Sequence, residues 1–408
     1  MRSFILRLAG FAGAPIISAL APFIILPVIS RFVGDSGWAN VNSGQAIGML
    51  AMVGVLFGWS VIGPVRVARA TDAHERAVIL AESLRSRAWT ALLVVPLAGV
   101  VTYFVCSPDY RTESVMIAVA MALGGFTPAW FCIGEGNPRA LMLFDGVPKL
   151  TASALSLPFL LLTGQVFWYP VLLVLLTVPA FAIHARLVRT GHDPAGVPAR
   201  PTRQVLSSLV PTAAIDAAGN VYGSTGIPIA TVGLSASAAS SFASTDRVYR
   251  IGLLAVIAVG NAFQAWVLDP RAEDRARRHL IAFAALGGLG AVGGAAIAVL
   301  GPWATGLVFG AAVAAAPLPC LLFGAAFFFI SCGTPLIRNL LIPAGRFRLV
   351  FAATVCSAIT GVATMLIGAA QGSVVGVALG VAVAEAVSVM ILITPAWRQF
   401  RREAHVAP

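Results

Sequence analysis

The stretch QVLSSLVPTAAIDAAGNVYGSTGIPIATVGLSASAASSFASTDRVYRIGLLAVIAVGNAFQAWVLD, Gln204–Asp269, decides how this chain folds. It is apolar enough to lie in a bilayer, yet it carries Asp216, Asn220, Asp246, Arg247 and Arg250. Ionisable groups at membrane depth are costly, so they face a cavity or a partner and mark where function resides. Ser208, Thr212, Asp216, Asn220 and Ser224 recur every fourth residue, which on a helix forms one polar stripe in a greasy span. Pro211 and Pro228 lie on the same stretch and are expected to bend it and free backbone carbonyls.

The rest of the chain extends the pattern. Of its 408 residues, 59% are hydrophobic and 11% charged, too little polar surface to cover a soluble globule. The chain therefore reads as an all-α polytopic membrane protein. Crossing the hydrocarbon takes about 20 mostly apolar residues, which the charge-free runs supply repeatedly. Leu8–Ser30, Ser36–Val65, Ala88–Pro108 and Ser114–Gly134 give one span each, and Leu150–Ala185 gives two, broken at Gly164–Gln165. Further spans fall within Gln204–Leu234 and Val248–Leu268. Leu280–Ile337 holds two, broken around Gly301–Pro302, and Leu349–Thr394 two, broken at Gln371–Gly372. The total is about twelve helices.

Charge sets the expected orientation. With both termini inside, all of the 27 basic residues except Arg31, Arg111, Arg247 and Arg250 fall on the inner side, as the positive-inside rule requires. The net charge of +11 then reflects topology and contact with anionic membrane lipids, and no nucleic-acid partner is expected. The apolar run at the N-terminus continues to Ser30, longer than a cleavable signal, so it is expected to remain as the first span. The predicted plan is an N-terminal six-helix lobe (1–185), a cytoplasmic linker rich in Pro, Gly and Arg (186–204), and a C-terminal six-helix lobe (205–408). A weak echo between FTPAWF (Phe126–Phe131) and GTPLIR (Gly333–Arg338) fits a duplication. The longest inner connection, Pro64–Arg87, alternates acids and arginines and reads as a helix on the membrane surface or a solvated connector.

Enzymatic chemistry finds no support. Lys149 is the only lysine, and its surroundings FDGVPKL lack the Gly-rich phosphate loop of an ATPase. No HExxH, GxSxG or clustered His/Cys set occurs, and the outer loops leave no room for a catalytic domain. The five cysteines are scattered through apolar runs and read as small core hydrophobes; neither a metal nor a cofactor is expected.

Three segments stand out. The first span carries Pro15, Pro22 and Pro27 and ends in Arg31 and Gly34, so it is expected to bend as transporter helices do. Arg31 fits either an outer headgroup or a cavity. In FTPAWFCIGEGNPRALMLFDGVPKL (Phe126–Leu150), Trp130 fits an interfacial belt or substrate contact, and Glu135, Asn137 and Arg139 a solvated turn or a gate. Together with PIATVGLSASAASSFASTDRVYRIG (Pro228–Gly252), the Arg31–Gly34 ending and WFCIGEG (Trp130–Gly136) make the chain resemble the Wzx-type flippases. These form the polysaccharide transporter branch of the multidrug/oligosaccharidyl-lipid/polysaccharide superfamily. The resemblance covers most of the chain in length and topology through loose motifs. It implies two six-helix lobes around a cationic central cavity, in which a lipid-linked oligosaccharide held by its diphosphate changes leaflet by alternating access. Its cavity arginines would be Arg31, Arg247 and Arg250; Asn220 and Trp130 are further candidates for substrate contact from the reading of the residues themselves. It further implies the bacterial inner membrane, cytoplasmic termini, and a polysaccharide polymerase and chain-length regulator as partners. The chain lacks helices beyond the twelfth and has fewer deep basic residues than lipid II flippases, which argues against a peptidoglycan precursor as cargo.

The chemistry agrees with that expectation. A diphosphate is anionic, and guanidinium groups bind its oxygens bidentately at low dielectric. Asp216 and Glu385 (in GVAVAEAVSVM) are the acids read as lying well inside helices, against Arg247 and Arg250, a balance that favours an anionic cargo. Either acid could couple transport to H⁺ or Na⁺. The alternatives are a hydrogen bond or salt bridge for Asp216 and inter-helix packing for Glu385. The rival functions are a multidrug cation exporter of the same fold, a many-span polymerase or ligase, and a major-facilitator transporter, whose characteristic loop is not matched by PVRVARATDAHER.

Overall fold

The computed structural model describes residues 22–190, 200–268 and 274–406. The start of the first span with Pro15, the middle of the expected linker, and Asp269 with Arg271 lie outside the described residues. Described residues are almost all helical, with no strand among them. The helices are α1 (Pro22–Leu56), α2 (Trp59–Arg69), α3 (Ala73–Val105), α4 (Arg111–Leu123), α5 (Ala129–Glu135), α6 (Val147–Thr163) and α7 (Trp168–Arg189). They continue as α8 (Thr202–Gly233), α9 (Ala236–Val267), α10 (Arg275–Phe309), α11 (Pro317–Pro335), α12 (Phe347–Ala370) and α13 (Val374–Val406). Among the described residues, nine helical stretches are long and apolar enough to cross a membrane, from Ile24–Arg69 to Val374–Arg402. This is a polytopic membrane protein.

Breaks sit where backbone chemistry puts them. α1 is interrupted at Gly34, whose φ of 61° and ψ of −161° suit a residue without Cβ. The break expected between the first two spans, after Ser30 and before Ser36, is thus helix on both sides of one glycine. α2 follows α1 after Phe57 and Gly58, both at positive φ (45° and 82°). Thr127 and Pro128 separate α4 from α5, and the left-handed Gly136 and the capping Asn137 end that segment in a turn. π-helical turns at Met142–Gly146 and Leu336–Leu341 lead into α6 and out of α11.

Two expectations are corrected. Pro64–Arg87 is not a surface helix: α3 begins at Ala73, capped by Asp72, and runs straight into the apolar span, with Ala77, Val78, Ile79, Leu80, Ser83, Ser86 and Arg87 buried. The span read as starting near Val248 begins at Ala236, capped by Ser235, because Ser240, Ser244 and Thr245 are fully buried and hydrogen-bonded rather than solvated.

By contacts the described chain groups into two compact units, one comprising residues up to Val33 with Asn40–Ser224, the other Gly34–Ala39 with the chain from Thr225. In the first unit α3 packs on α4, α6 on α7, and α2 on α5. In the second, α10 packs on α11, α12 on α13, and α11 on α13. With no hydrophobic drive between helices in lipid, close approach depends on small residues. Gly294 and Gly324 show this, each lying where a Cβ on the other would strike its carbonyl.

Candidate functional site

In the first unit the polar stripe of α8 meets α2. Gly58 lets α2 approach α8 so closely that a Cβ there would lie 3.1 Å from the Ala213 nitrogen. The approach sets Ser60 against Asp216, and Ser60 Oγ donates to Asp216 Oδ2 at 2.7 Å. Asn220 Nδ2 donates to the Asp216 carbonyl at 2.8 Å and to Oδ1 at 3.2 Å. Asp216 is half-buried, and Ser208 and Asn220 are exposed, while Val205 and Leu209 on the other face pack into the core with Trp59 and Trp130.

Behind this contact lies a buried polar and aromatic layer. Trp59 Nε1 donates to Ser86 Oγ at 2.9 Å, and the Trp59 and Trp130 rings sit 5.2 Å apart. Arg66 lies over Trp59 and pairs with Glu82 at 2.7 Å. Arg87, 1% exposed, donates from Nη1 to the carbonyls of Gly125 (3.0 Å) and Thr127 (3.1 Å), where α4 breaks before α5. Its guanidinium also lies over the Phe126 and Trp130 rings. Thr127 Oγ1 donates to Asp145, which Lys149 grips through both carboxylate oxygens at 2.8 Å. Cys132 Sγ lies 3.5 Å from His184 Nε2, a long-range neighbour that sequence spacing could not reveal.

In the second unit Trp38 Nε1 donates to Ser244 Oγ at 3.0 Å, and Ser240 Oγ donates to the Asp35 carbonyl at 2.6 Å, seating Gly34–Ala39 on α9. One turn on, Asp246 pairs with Arg250. Tyr249, between Arg247 and Arg250 in sequence, donates from its hydroxyl to Glu385 Oε1 of α13 at 3.4 Å and packs edge-on against Phe323. Asp246, Arg247 and Glu385 are all buried, and Arg250 is half-buried. Deeper along α9, Arg338 donates to Asn261.

The structure therefore joins Asp216 with Asn220 in one unit and sets Glu385 beside the Arg247–Arg250 turn in the other. Arg31 is exposed at the end of the first half of α1. Trp130 is 3% exposed and sits in the core of the first unit. Sequence reasoning missed Arg87 and the Arg66–Glu82 pair, because Pro64–Arg87 was read as outside the membrane, and the Asp145–Lys149 pair, because FDGVPKL was weighed only as a phosphate loop. The available signal was Ser83, Ser86 and Arg87 at i, i+3 and i+4 on a helix with no break before the apolar run. It also left Asp246 out of the charge balance, since the helix was started too late. Among the described residues no group of three His, Cys, Asp or Glu lies close enough to hold a metal ion.

Long apolar helices broken at glycine and proline, with charged groups buried among them, define a multi-span membrane protein. The solved structures agree on the fold. The chain is similar to the lipid II flippase MurJ in an inward closed conformation (TM-score 0.71, 9% identity, 96% of this chain and 89% of that one). It is also similar to an inward-facing multidrug resistance MATE family transporter of the MOP superfamily (TM-score 0.65, 13% identity, 96% of each chain). A MOP superfamily transporter from Pyrococcus furiosus, described as having a binding pocket of reversed polarity, matches with TM-score 0.58 and 14% identity over 97% of this chain and 94% of that one. No curated protein sequence matches the chain. The sequence profile described as polysaccharide biosynthesis protein matches residues 11–267, and the chain belongs to that family. The protein is thus a multi-span membrane protein of the polysaccharide biosynthesis family, with a fold similar to those of these transporters and this flippase.

Proposed function

We propose that the protein flips a polyprenyl-diphosphate-linked oligosaccharide, with undecaprenyl as the carrier, across a bacterial inner membrane by alternating access, with both termini cytoplasmic. The product would serve O-antigen, capsule or exopolysaccharide assembly, handed on to a polymerase and chain-length regulator. Membership of the polysaccharide biosynthesis family over residues 11–267 carries the reading.

The arginines supply a physical route. Arg250 is half-exposed and ion-paired with Asp246 on the preceding turn. Its planar fork matches the geometry of phosphate oxygens, and it would engage the diphosphate in exchange for its present partners. Arg31 and Arg247 would add charge, and Asn220 a neutral donor to the sugar. Protonating Asp246 would leave the Arg250 guanidinium to the cargo, which gives ion coupling a mechanism in the second unit; Glu385, held by the Tyr249 hydroxyl, and Asp216 in the first unit are the other candidate coupling acids. A cation exporter of the same fold is the competing reading, favoured by the buried acids Asp246 and Glu385. Each of these acids lies beside a basic or phenolic partner, an arrangement better suited to an anionic cargo.

Deletion in the native host distinguishes them. The proposal expects loss of the surface polysaccharide with build-up of its lipid-linked unit on the cytoplasmic leaflet. Normal polysaccharide together with raised accumulation of cationic dyes would support the exporter instead.

A further inference from the structure

The second unit has an apolar groove of ≈ 550 Å³ on its surface, lined by Leu280 and Phe283 of α10, Leu340 of the π turn after α11, and Ile393, Trp397 and Phe400 of α13. The π turn Leu336–Leu341 widens the helix path there, as such turns do at functional sites. Leu340 closes the floor at 1% exposure, while Leu280 (52%), Ile393 (51%) and Trp397 (51%) form an open rim. In a bilayer a hydrocarbon chain fills such a groove, since a void would forfeit the dispersion contacts of its lining.

The rim is aromatic and then cationic. Trp397 and Phe400 stack at 5.4 Å, and the Arg401 guanidinium lies 5.5 Å from the Trp397 ring. Phe400 also meets His279 at 6.1 Å, which sets the first turn of α10 level with the last turns of α13. That level brings Arg275 and Arg277 to the side of the membrane that holds Arg398, Arg401 and Arg402, all five exposed. Asp274 is occupied in capping, accepting from the Arg277 backbone nitrogen at 2.9 Å. Arg278 turns away to the Trp266 carbonyl at 2.7 Å. The arrangement is apolar floor, aromatic belt at headgroup depth, and guanidinium groups beyond.

We propose that this groove is a binding site for an anionic glycerophospholipid, with one acyl chain over Leu340 and its phosphate held by Arg401 and Arg277. The positive charge at the rim selects an anionic headgroup over a zwitterionic one, as basic sites between transmembrane helices do. The small groove suits an acyl chain better than a long polyprenyl, so the occupant is membrane lipid rather than cargo. The inference does not depend on which substrate the protein moves.

The test is native mass spectrometry of the delipidated full-length protein, titrated with equimolar dioleoylphosphatidylglycerol and dioleoylphosphatidylcholine. The wild type is expected to retain phosphatidylglycerol preferentially, and Arg401→Gln and Arg277→Gln each to lower the preference about fivefold. Arg189→Gln, on α7, should leave the preference intact, and Ile393→Trp, which fills the groove, should lose both lipids. Thermal unfolding of each variant reports its folding. Equal retention of the two lipids by the wild type, or full preference in both arginine variants, overturns the proposal. Displacement of phosphatidylglycerol by an equimolar polyprenyl diphosphate overturns the choice of occupant.

Discussion

Ser60 Oγ donates to Asp216 Oδ2 at 2.7 Å, joining α2 to α8 through a carboxylate in the middle of an apolar helix. A hydroxyl and the Asn220 amide both donate to that carboxylate, and no basic side chain pairs with it among the described residues. Asp216→Asn keeps a carbonyl oxygen for Ser60 and is expected to unfold within a few degrees of wild type, while transport loses its dependence on an imposed ion gradient. Asp216→Ala strands the Ser60 hydroxyl and costs about 1 kcal/mol more. Differential scanning fluorimetry and gradient-driven transport in the same preparations check both. Gradient dependence unchanged in Asp216→Asn removes the residue from coupling.

Arg87 holds the α4–α5 break by two carbonyls. Hydrogen bonds to a charged group contribute about 1.5–3 kcal/mol each, so Arg87→Ala is expected to be among the most destabilising changes in the first unit. Arg87→Lys should recover less than half of the loss, because an ammonium gives up the guanidinium's stacking on Phe126 and Trp130 and its second donor, Nε, to the Ser83 carbonyl. A wild-type unfolding temperature in Arg87→Ala would show the carbonyls to be satisfied otherwise.

Gly324 and Gly294 bring α11 against α10. Gly324→Val forces the helices apart and should cost about 1–3 kcal/mol. Gly287, on the same α10, has nothing within 4 Å of a would-be Cβ, and Gly287→Ala should be neutral or stabilise by about 0.5–1 kcal/mol. Thermal unfolding of the pair separates close packing from loss of a flexible residue; similar shifts for the two would contradict the packing argument.

Cys106 lies between α3 and α4 with its thiol directed at the Asn40 carbonyl at 3.5 Å. Burial pushes that thiol up from 9.0 to about 11. At pH 8 the thiolate fraction falls about 100-fold, partly offset by the higher nucleophilicity of a more basic thiolate, so alkylation should run at least about tenfold slower than in the unfolded chain. A Cys106-only variant treated with maleimide before and after denaturation gives the ratio; equal rates would mean the site is open.

The sequence pattern carried the helices because length and apolarity in a bilayer leave little choice of structure. It carried Asp216 and Asn220 as neighbours because a spacing of four is local. It could not place Ser60 against Asp216, 156 positions away, or Glu385 against Tyr249, 136 away, because such pairs depend on which helix faces which. Arg87 was obscured for another reason. Charge near a span's end was read as solvation, whereas backbone carbonyls at a helix break offered it partners inside the protein.

The central claim is that the protein moves a diphosphate-linked glycolipid by means of arginine. The most direct measurement is translocation of a fluorescent polyprenyl-diphosphate oligosaccharide in proteoliposomes, comparing wild type with folded Arg250→Gln and Arg247→Gln. The account predicts transport by wild type and at least about a tenfold loss in Arg250→Gln, corresponding to one charge-assisted contact of about 1.4 kcal/mol or more. Wild-type protein that leaves every such lipid in place while moving cationic dyes would contradict it.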